Sequence, residues 1–330
     1  MKKSDEREVK RLKFKDQVDF FLEDKKCFLA DGTILNYQRD LNRACAVFGD
    51  IFIDDISYLE IKKYFVDLQN NGINMYTGKR LKSGTIMQHY ITLHSFFENA
   101  VENGILTENP MRRLKRPKSR KDEELKPVIS YDEKQVHYIL SCLNLEPLKW
   151  KALIMVAIDS GCRCGELMGL KWTDIDFESG RMNIVRNIQY TPEKGIFVCT
   201  PKNGKSREIY LNGPVIAILK EWKKISNIGK TEKSNEYCFT GRNNQPMMPG
   251  CFNAFLRRFG KKYNLKGIHP HALRHSMASI SLVHGADIVS VSKKLGHSNV
   301  SITLNVYSHT NFEAQLRANE VFAGAVYNKE

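Results

Sequence analysis

Apolar residues recur at helical spacing through the first third of the chain. Leu12, Phe14, Val18, Phe21 and Leu22 mark one amphipathic helix within residues 12–29, and Asp31-Gly32 reads as its break. A second helix is expected from Thr33, with Leu35, Leu41, Ala44, Val47 and Phe48 at its apolar positions. A third follows Ser57 as N-cap and carries Leu59, Ile61, Phe65 and Leu68. A fourth begins at Ser83 and shows Ile86, Tyr90, Leu93, Phe97 and Val101 before Gly104. No alternating run interrupts them, so residues 12–110 predict an all-helical bundle closed by Asn109-Pro110.

From Ser130 the pattern becomes mixed. Helices are expected over residues 131–143, 148–160 and 163–170, strands over 181–188, 196–200 and 207–211, then helices over 214–222, 250–263, 270–284 and 287–295. Lys202-Asn203-Gly204-Lys205 lies between the last two strands, and Asn-Gly is the strongest short hairpin signal, because both central positions tolerate positive φ. Those strands are therefore expected to pair, with a lysine at the tip. The fold class this gives is mainly α with a small antiparallel β-sheet: a helical domain at 12–110, a linker at 111–126 and a mixed α/β domain at 127–325.

Composition narrows the partner. With 330 residues, 42% of them hydrophobic, the chain can bury the core of one large or two ordinary domains. Lysine and arginine number 51 against 37 acids, a formal charge of +14 that favours a polyanion, nucleic acid ahead of an anionic membrane surface. The longest strongly apolar run, residues 153–158, falls far short of the ~20 residues a membrane helix needs. An amino terminus without an apolar signal core, and eight scattered cysteines, predict reduced thiols and a cytoplasmic location. The basic surplus peaks at Arg112, Arg113, Lys115, Arg116, Lys118, Arg120 and Lys121, with Pro117 among them and no acid. This stretch reads as an extended linker, either a solvated tether or a strap along phosphates, where each cation displaces condensed counterions.

Six of the nine histidines fall between His269 and His309. In HPHALRH, Pro270 suits a first helical position, which puts His271 and Arg274 on one face at i and i+3. Leu273, Met277 and Ile280 form the opposite, core-facing stripe, leaving the polar pair toward a cleft. His271 and His275 have the i, i+4 spacing of two zinc ligands, but no glutamate stands between them and an adjacent arginine disfavours a cation. Cys162 and Cys164 make a lone C-x-C without further ligands and read as structural thiols. Arg163 between them can offer a bidentate fork to a phosphate or pair with Glu166 or Asp174. Gly204-Lys205-Ser206 fails as a P-loop, because the required earlier glycine is Cys199 and the context is a hairpin.

Taken together, SGCRCGELMGL, HPHALRH, LGHS and NVYSH stand in the order and spacing of the tyrosine recombinases, the phage integrase family, which the chain resembles over nearly its whole length. The resemblance implies a helical, SAM-like core-binding domain followed by a catalytic domain. It places the family's catalytic arginines at Arg163 and Arg274, its histidines at His271 and His297, its nucleophile at Tyr307 and its hairpin lysine at Lys202, with Lys205 a competitor. Ser160 stands for a more usual threonine and Ala272 for a frequent aspartate, neither at a position that supplies a catalytic group.

The reaction so implied is strand exchange through a 3′-phosphotyrosine and a Holliday junction, without metal, ATP or other cofactor. Its partner is double-stranded DNA, cleaved by four copies of the chain on two paired sites, with accessory DNA-bending or directionality proteins in some systems. Arg112, Arg113, Lys115, Arg116, Lys118 and Lys205 would contact DNA, while a bundle helix, the one beginning at Ser83 foremost, would read base edges. The segment after Tyr307, with Phe312, Leu316, Val321 and Phe322, would form a helix docked on a neighbouring copy or on its own domain. Only about a dozen residues precede the first helix, which leaves no room for an arm-binding domain. The expected role is recombination for a mobile genetic element, with resolution of chromosome or plasmid dimers as the alternative; a topoisomerase that reseals without a partner site would use similar chemistry. A regulator that kept the fold and lost the reaction should lack an arginine or the tyrosine, and neither is missing.

Overall fold

The computed structural model describes residues 11–75, 77–120, 128–201, 204–226, 236–301, 304, 323, 326 and 327. The chain divides into two compact units, Met1–Lys126 and Pro127–Glu330, each with its own core.

The first unit is built from α1 (Phe14–Lys26), α2 (Asp31–Phe48), α3 (Tyr58–Asn71) and α4 (Ser83–Glu102). Their apolar stripes converge on Phe14, Phe21, Phe48, Phe96 and Phe97, with Phe14 and Phe96 only 4.7 Å apart between ring centroids. α3 starts in a capping box, Ser57 and Glu60 each satisfying the other's main-chain N–H. Asp31-Gly32, expected to break structure, instead opens α2: the break lies before Asp31, a carboxylate placed where the helix dipole favours it. Residues 111–120 of the basic stretch pack on this unit. Met111 is fully buried, Tyr90 donates its hydroxyl hydrogen to the Leu114 carbonyl at 2.9 Å, and the Arg120 guanidinium donates to the carbonyls of Gln69 and Leu81.

The second unit contains α5 (Glu133–Cys142), α6 (Leu148–Ser160), α7 (Cys164–Met168), α8 (Gly213–Ser226), α9 (Pro249–Lys262), α10 (Pro270–Val283) and α11 (Ile288–Leu295). α6 lies at its centre, packed against α8 and α10, and buries Ala152, Leu153, Ile154, Val156 and Ala157. Burying each Leu, Ile or Val side chain is worth about 2 kcal/mol. The three tryptophans all belong here: Trp150 stacks on Phe255 at 4.1 Å, Trp172 is buried, and Trp222 donates to the Cys238 carbonyl.

Among the described residues, four strands appear where three were expected: β1 (Arg181–Ile184), β2 (Asn187–Thr191), β3 (Gly195–Cys199) and β4 (Arg207–Tyr210). β1 pairs with β4 and β2 with β3, both antiparallel, so the two strands flanking Asn203-Gly204 do not pair with each other. Gly204 does donate its main-chain N–H to the Pro201 carbonyl at 2.8 Å. Pairing is decided by the core: Met182 and Ile209, both buried, lie opposite one another and draw β4 onto β1.

Candidate functional site

Two helix ends and one strand start deliver the charged groups of the second unit. α6 stops at Gly161, whose φ of +62° is strained for any other residue, and a Cβ there would also displace the Met277 methyl, 2.2 Å away. The chain then turns and Arg163 caps α7. Glu166, wholly buried, reaches back: its carboxylate accepts from the Arg163 main-chain N–H at 2.8 Å and from Arg163 Nη1 at 2.9 Å. From β4, Arg207 donates to the same carboxylate twice, Nη2 to Oε2 at 2.7 Å and Nη1 to Oε1 at 3.0 Å.

Arg274 enters from α10 and is only 3% exposed. Its Nη1 donates to the Gly161 carbonyl at 2.6 Å and its Nη2 to the Leu295 carbonyl at 2.7 Å. Beside it, Arg207 Nε donates to the Lys294 carbonyl at 2.9 Å and Arg163 Nη2 to the Gly296 carbonyl at 3.1 Å. Three consecutive carbonyls at the end of α11 thus each receive a different guanidinium, where the helix dipole favours positive charge. His297 is the next residue. Nearby, Lys205, Arg207, Lys293, Lys294 and His297 line a groove of about 880 Å³.

The electrostatics favour an anion. Arg163 and Arg207 pair with the Glu166 carboxylate while Arg274 is held by carbonyls alone, so three guanidinium groups gather around one acid in a sheltered place. Burial and the neighbouring Arg163 draw Arg274 down to about 10, so it still carries its charge at neutral pH. Burial, then Arg274, Arg163, His275 and Arg207, hold His297 down at about 4; burial, then His271, Arg274 and His269, do the same for His275. Both imidazoles are therefore neutral hydrogen-bonding groups at physiological pH. Glu166 is pushed up by burial, but the ion pair with Arg207 and the Arg163 N–H outweigh that, and it lies below the usual glutamate range.

These shifts set an acid response. Unfolded, the two histidines take up protons near pH 6.5; folded, they refuse them until about 4, so the unfolded state binds more protons in between and stability falls as pH falls. Glu166, with its depressed value, contributes fully above 4.5 and loses its contribution at more acid pH. The urea midpoint of the second unit, followed by tryptophan fluorescence, should decline steadily from neutrality toward pH about 4. A midpoint constant over that range would contradict this account.

The structure brings together Arg163, Arg274 and His297. His271 stands exposed on the first turn of α10, close enough to His275 to disfavour its protonation. Of the two residues expected to face a cleft, His271 is exposed, whereas Arg274 is buried and gives one donor from each Nη to a main-chain carbonyl, of Gly161 and of Leu295. Arg163 takes the pairing with Glu166, whereas Asp174 pairs with Arg186. Cys162 and Cys164 are free thiols, and burial pushes Cys164 up to about 12. Among the described residues, no group of three or more His, Cys, Asp or Glu is arranged to hold a metal ion.

Arg112, Arg113, Lys115, Arg116 and Lys118 are exposed on the first unit, and Lys205 is exposed on the second. Arg120 is engaged inward, and its main-chain N–H donates to the buried Ser83 hydroxyl at the start of α4. Lys202, Tyr307, Lys121 and the expected helix with Phe312, Leu316, Val321 and Phe322 lie outside the described residues. Sequence reasoning missed Arg207. A signal existed: in a strand it shares a face with buried Ile209, and an arginine on the inward face of a strand must have a partner.

Comparison with known proteins places this geometry in context. Residues 130–314 match the model of the phage integrase family. A tyrosine recombinase XerC-like protein of Caldanaerobacter subterraneus subsp. tengcongensis is 29% identical over 279 residues, covering 78% of this chain and 68% of that protein. The ICEBs1 integrase of Bacillus subtilis is 26% identical over 264 residues, with the same 78% and 68% coverage. In fold, the chain is similar to the Tn1549 transposon integrase solved with transposon right end DNA: TM-score 0.78, 21% identity, 94% of this chain and 100% of that one.

Proposed function

Because the chain belongs to the phage integrase family, we propose that it is a site-specific DNA recombinase that breaks and rejoins strands through a covalent tyrosine intermediate for a mobile genetic element. The observation that carries this reading is the meeting of Arg163 and Arg274 at the end of α11 beside His297, where among the described residues Glu166 is the acid they gather around. A phosphodiester attacked in line gathers negative charge on its non-bridging oxygens, and donors already fixed in place stabilise it without reorganising. Arg163 and Arg274 clamp that phosphate and neutral His297 orients it.

Tyr307 is the nucleophile, and His271, exposed on α10, takes its proton. The departing 5′ hydroxyl receives a proton from Lys202, or from Lys205 in the groove beside His297. Since the phosphotyrosine conserves the energy of the broken bond, a 5′ hydroxyl of another strand can reverse the step, which makes exchange possible without ATP. Four copies act on two paired sites in the cytoplasm, and Arg112, Arg113, Lys115, Arg116 and Lys118 follow the phosphate backbone. The similarity to the ICEBs1 integrase supports the mobile-element role. The similarity to a XerC-like recombinase supports a second reading, resolution of chromosome or plasmid dimers.

The test is to incubate the protein with sheared genomic DNA of the source organism in metal-free buffer, denature, and recover DNA covalently attached to protein. Adducts enriched in one sequence are expected; their complete absence sinks the reading. On the recovered duplex, Lys202→Ala should slow adduct formation by about 100-fold or more. If Lys205→Ala does so instead, the proton donor is Lys205.

A further inference from the structure

The arginine that no motif singled out holds the site together from behind. Arg207 is 11% exposed in its side chain and makes two hydrogen bonds to the carboxylate of Glu166, whose other partner is Arg163. Its Nε turns the opposite way, to the Lys294 carbonyl in the last turn of α11, two carbonyls before the one that receives Arg163. The approach is close: a Cβ on Gly296 would lie 2.9 Å from Arg207 Nη1, so the left-handed turn that leads into His297 is moulded around this guanidinium. One rigid planar group therefore ties β4, α7 and the end of α11 to each other.

We propose that Arg207 is a positioning residue of the strand-cleaving centre, fixing through Glu166 the guanidinium of Arg163 and through the end of α11 the imidazole of His297. The proposal rests on the reading of that centre given above. Arg207 gives four N–H···acceptor contacts to Glu166, Lys294 and the Cys162 sulfur, so it acts through its neighbours, whereas Arg274, though buried, gives only one donor from each Nη to a carbonyl and keeps its second Nη hydrogens for the phosphate it and Arg163 are proposed to hold. A lysine cannot replace it, because one ammonium on a flexible stem does not span a carboxylate and a carbonyl in opposite directions with fixed geometry.

The experiment compares Arg207→Met, which keeps the packed stem, and Arg207→Lys, which keeps the charge, with wild type. Glu166 retains Arg163 as partner in both, and thermal melting by circular dichroism identifies folded variants. On the duplex recovered by wild-type adduct capture, Arg207→Met should form adduct about 100-fold more slowly, with affinity for that duplex within about threefold of wild type, and Arg207→Lys should recover only part of the loss.

A second readout needs no DNA. Burial, then the charges of Arg274, Arg163, His275 and Arg207, hold the His297 titration down, so in folded Arg207→Met that titration, followed by NMR, should move to higher pH as the charge is lost and the end of α11 loosens, and in Arg207→Lys, which keeps the charge, it should move less. A folded Arg207→Met or Arg207→Lys variant with wild-type adduct rate overturns the proposal, and so does an unmoved His297 titration in Arg207→Met. If Arg207→Met fails to fold, Arg207→Lys decides by its rate. If wild type itself forms no adduct, the recombinase reading fails, while the His297 titration still decides whether Arg207 governs that residue.

Discussion

A Tyr307→Phe variant is expected to bind its DNA site with nearly wild-type affinity and to yield no covalent adduct. The phenol oxygen is the only atom removed, and in the proposed reaction it is the atom that becomes bonded to phosphorus. Phosphate contacts by exposed lysines and arginines dominate affinity for DNA, and none of them is altered. Gel shift and denaturing capture on the same duplex check the two halves separately. An adduct that survives the substitution places the nucleophile elsewhere; loss of binding together with the adduct would mean the hydroxyl acts in docking.

The second large effect is expected at Arg274. Its guanidinium serves the protein and the reaction at once: two buried carbonyls, of Gly161 and Leu295, depend on it, and its charge persists at neutral pH although burial weakens it. Arg274→Ala should therefore lower the stability of the second unit by about 3 kcal/mol, the order expected when two buried acceptors lose a charged donor. Adduct formation should fall by about 1,000-fold or more in the protein that remains folded, because a preorganised donor to the developing phosphate charge is gone. Urea unfolding and single-turnover capture measure the two losses. A variant destabilised to this extent but cleaving at wild-type rate would make Arg274 a purely structural residue.

Most helices could be read directly, because stripes of Phe, Leu and Ile at a 3.6-residue period coincide with Gly and Pro at their ends, as in α6 and α10. What failed were inferences from local turn chemistry. Asp31-Gly32 resembles a turn, yet an aspartate is equally at home in a first helical turn, and only the chain before it showed where α2 begins. Asn203-Gly204 resembles a hairpin, yet strand partners are chosen by which faces must be buried, and Met182 opposite Ile209 outweighed it.

The site was partly legible for the same reason. Arg163, His271, Arg274 and His297 sit in short recognisable strings. Arg207 does not, since its partners Glu166 and Lys294 stand 41 and 87 residues away along the chain. Nothing in HPHALRH foretold that Arg274 would point inward, because its acceptors, the carbonyls of Gly161 and Leu295, belong to other segments.

The placement of Trp150, Trp172 and Trp222 in a single unit gives the molecule a built-in optical label. Indole emission during denaturation reports only the melting of the unit that carries Arg163 and Arg274, whereas far-ultraviolet ellipticity sums the helices of both. Midpoints that differ between the two signals would reveal that the Phe14-centred bundle and its neighbour come apart separately; superimposable curves would reveal a single cooperative event.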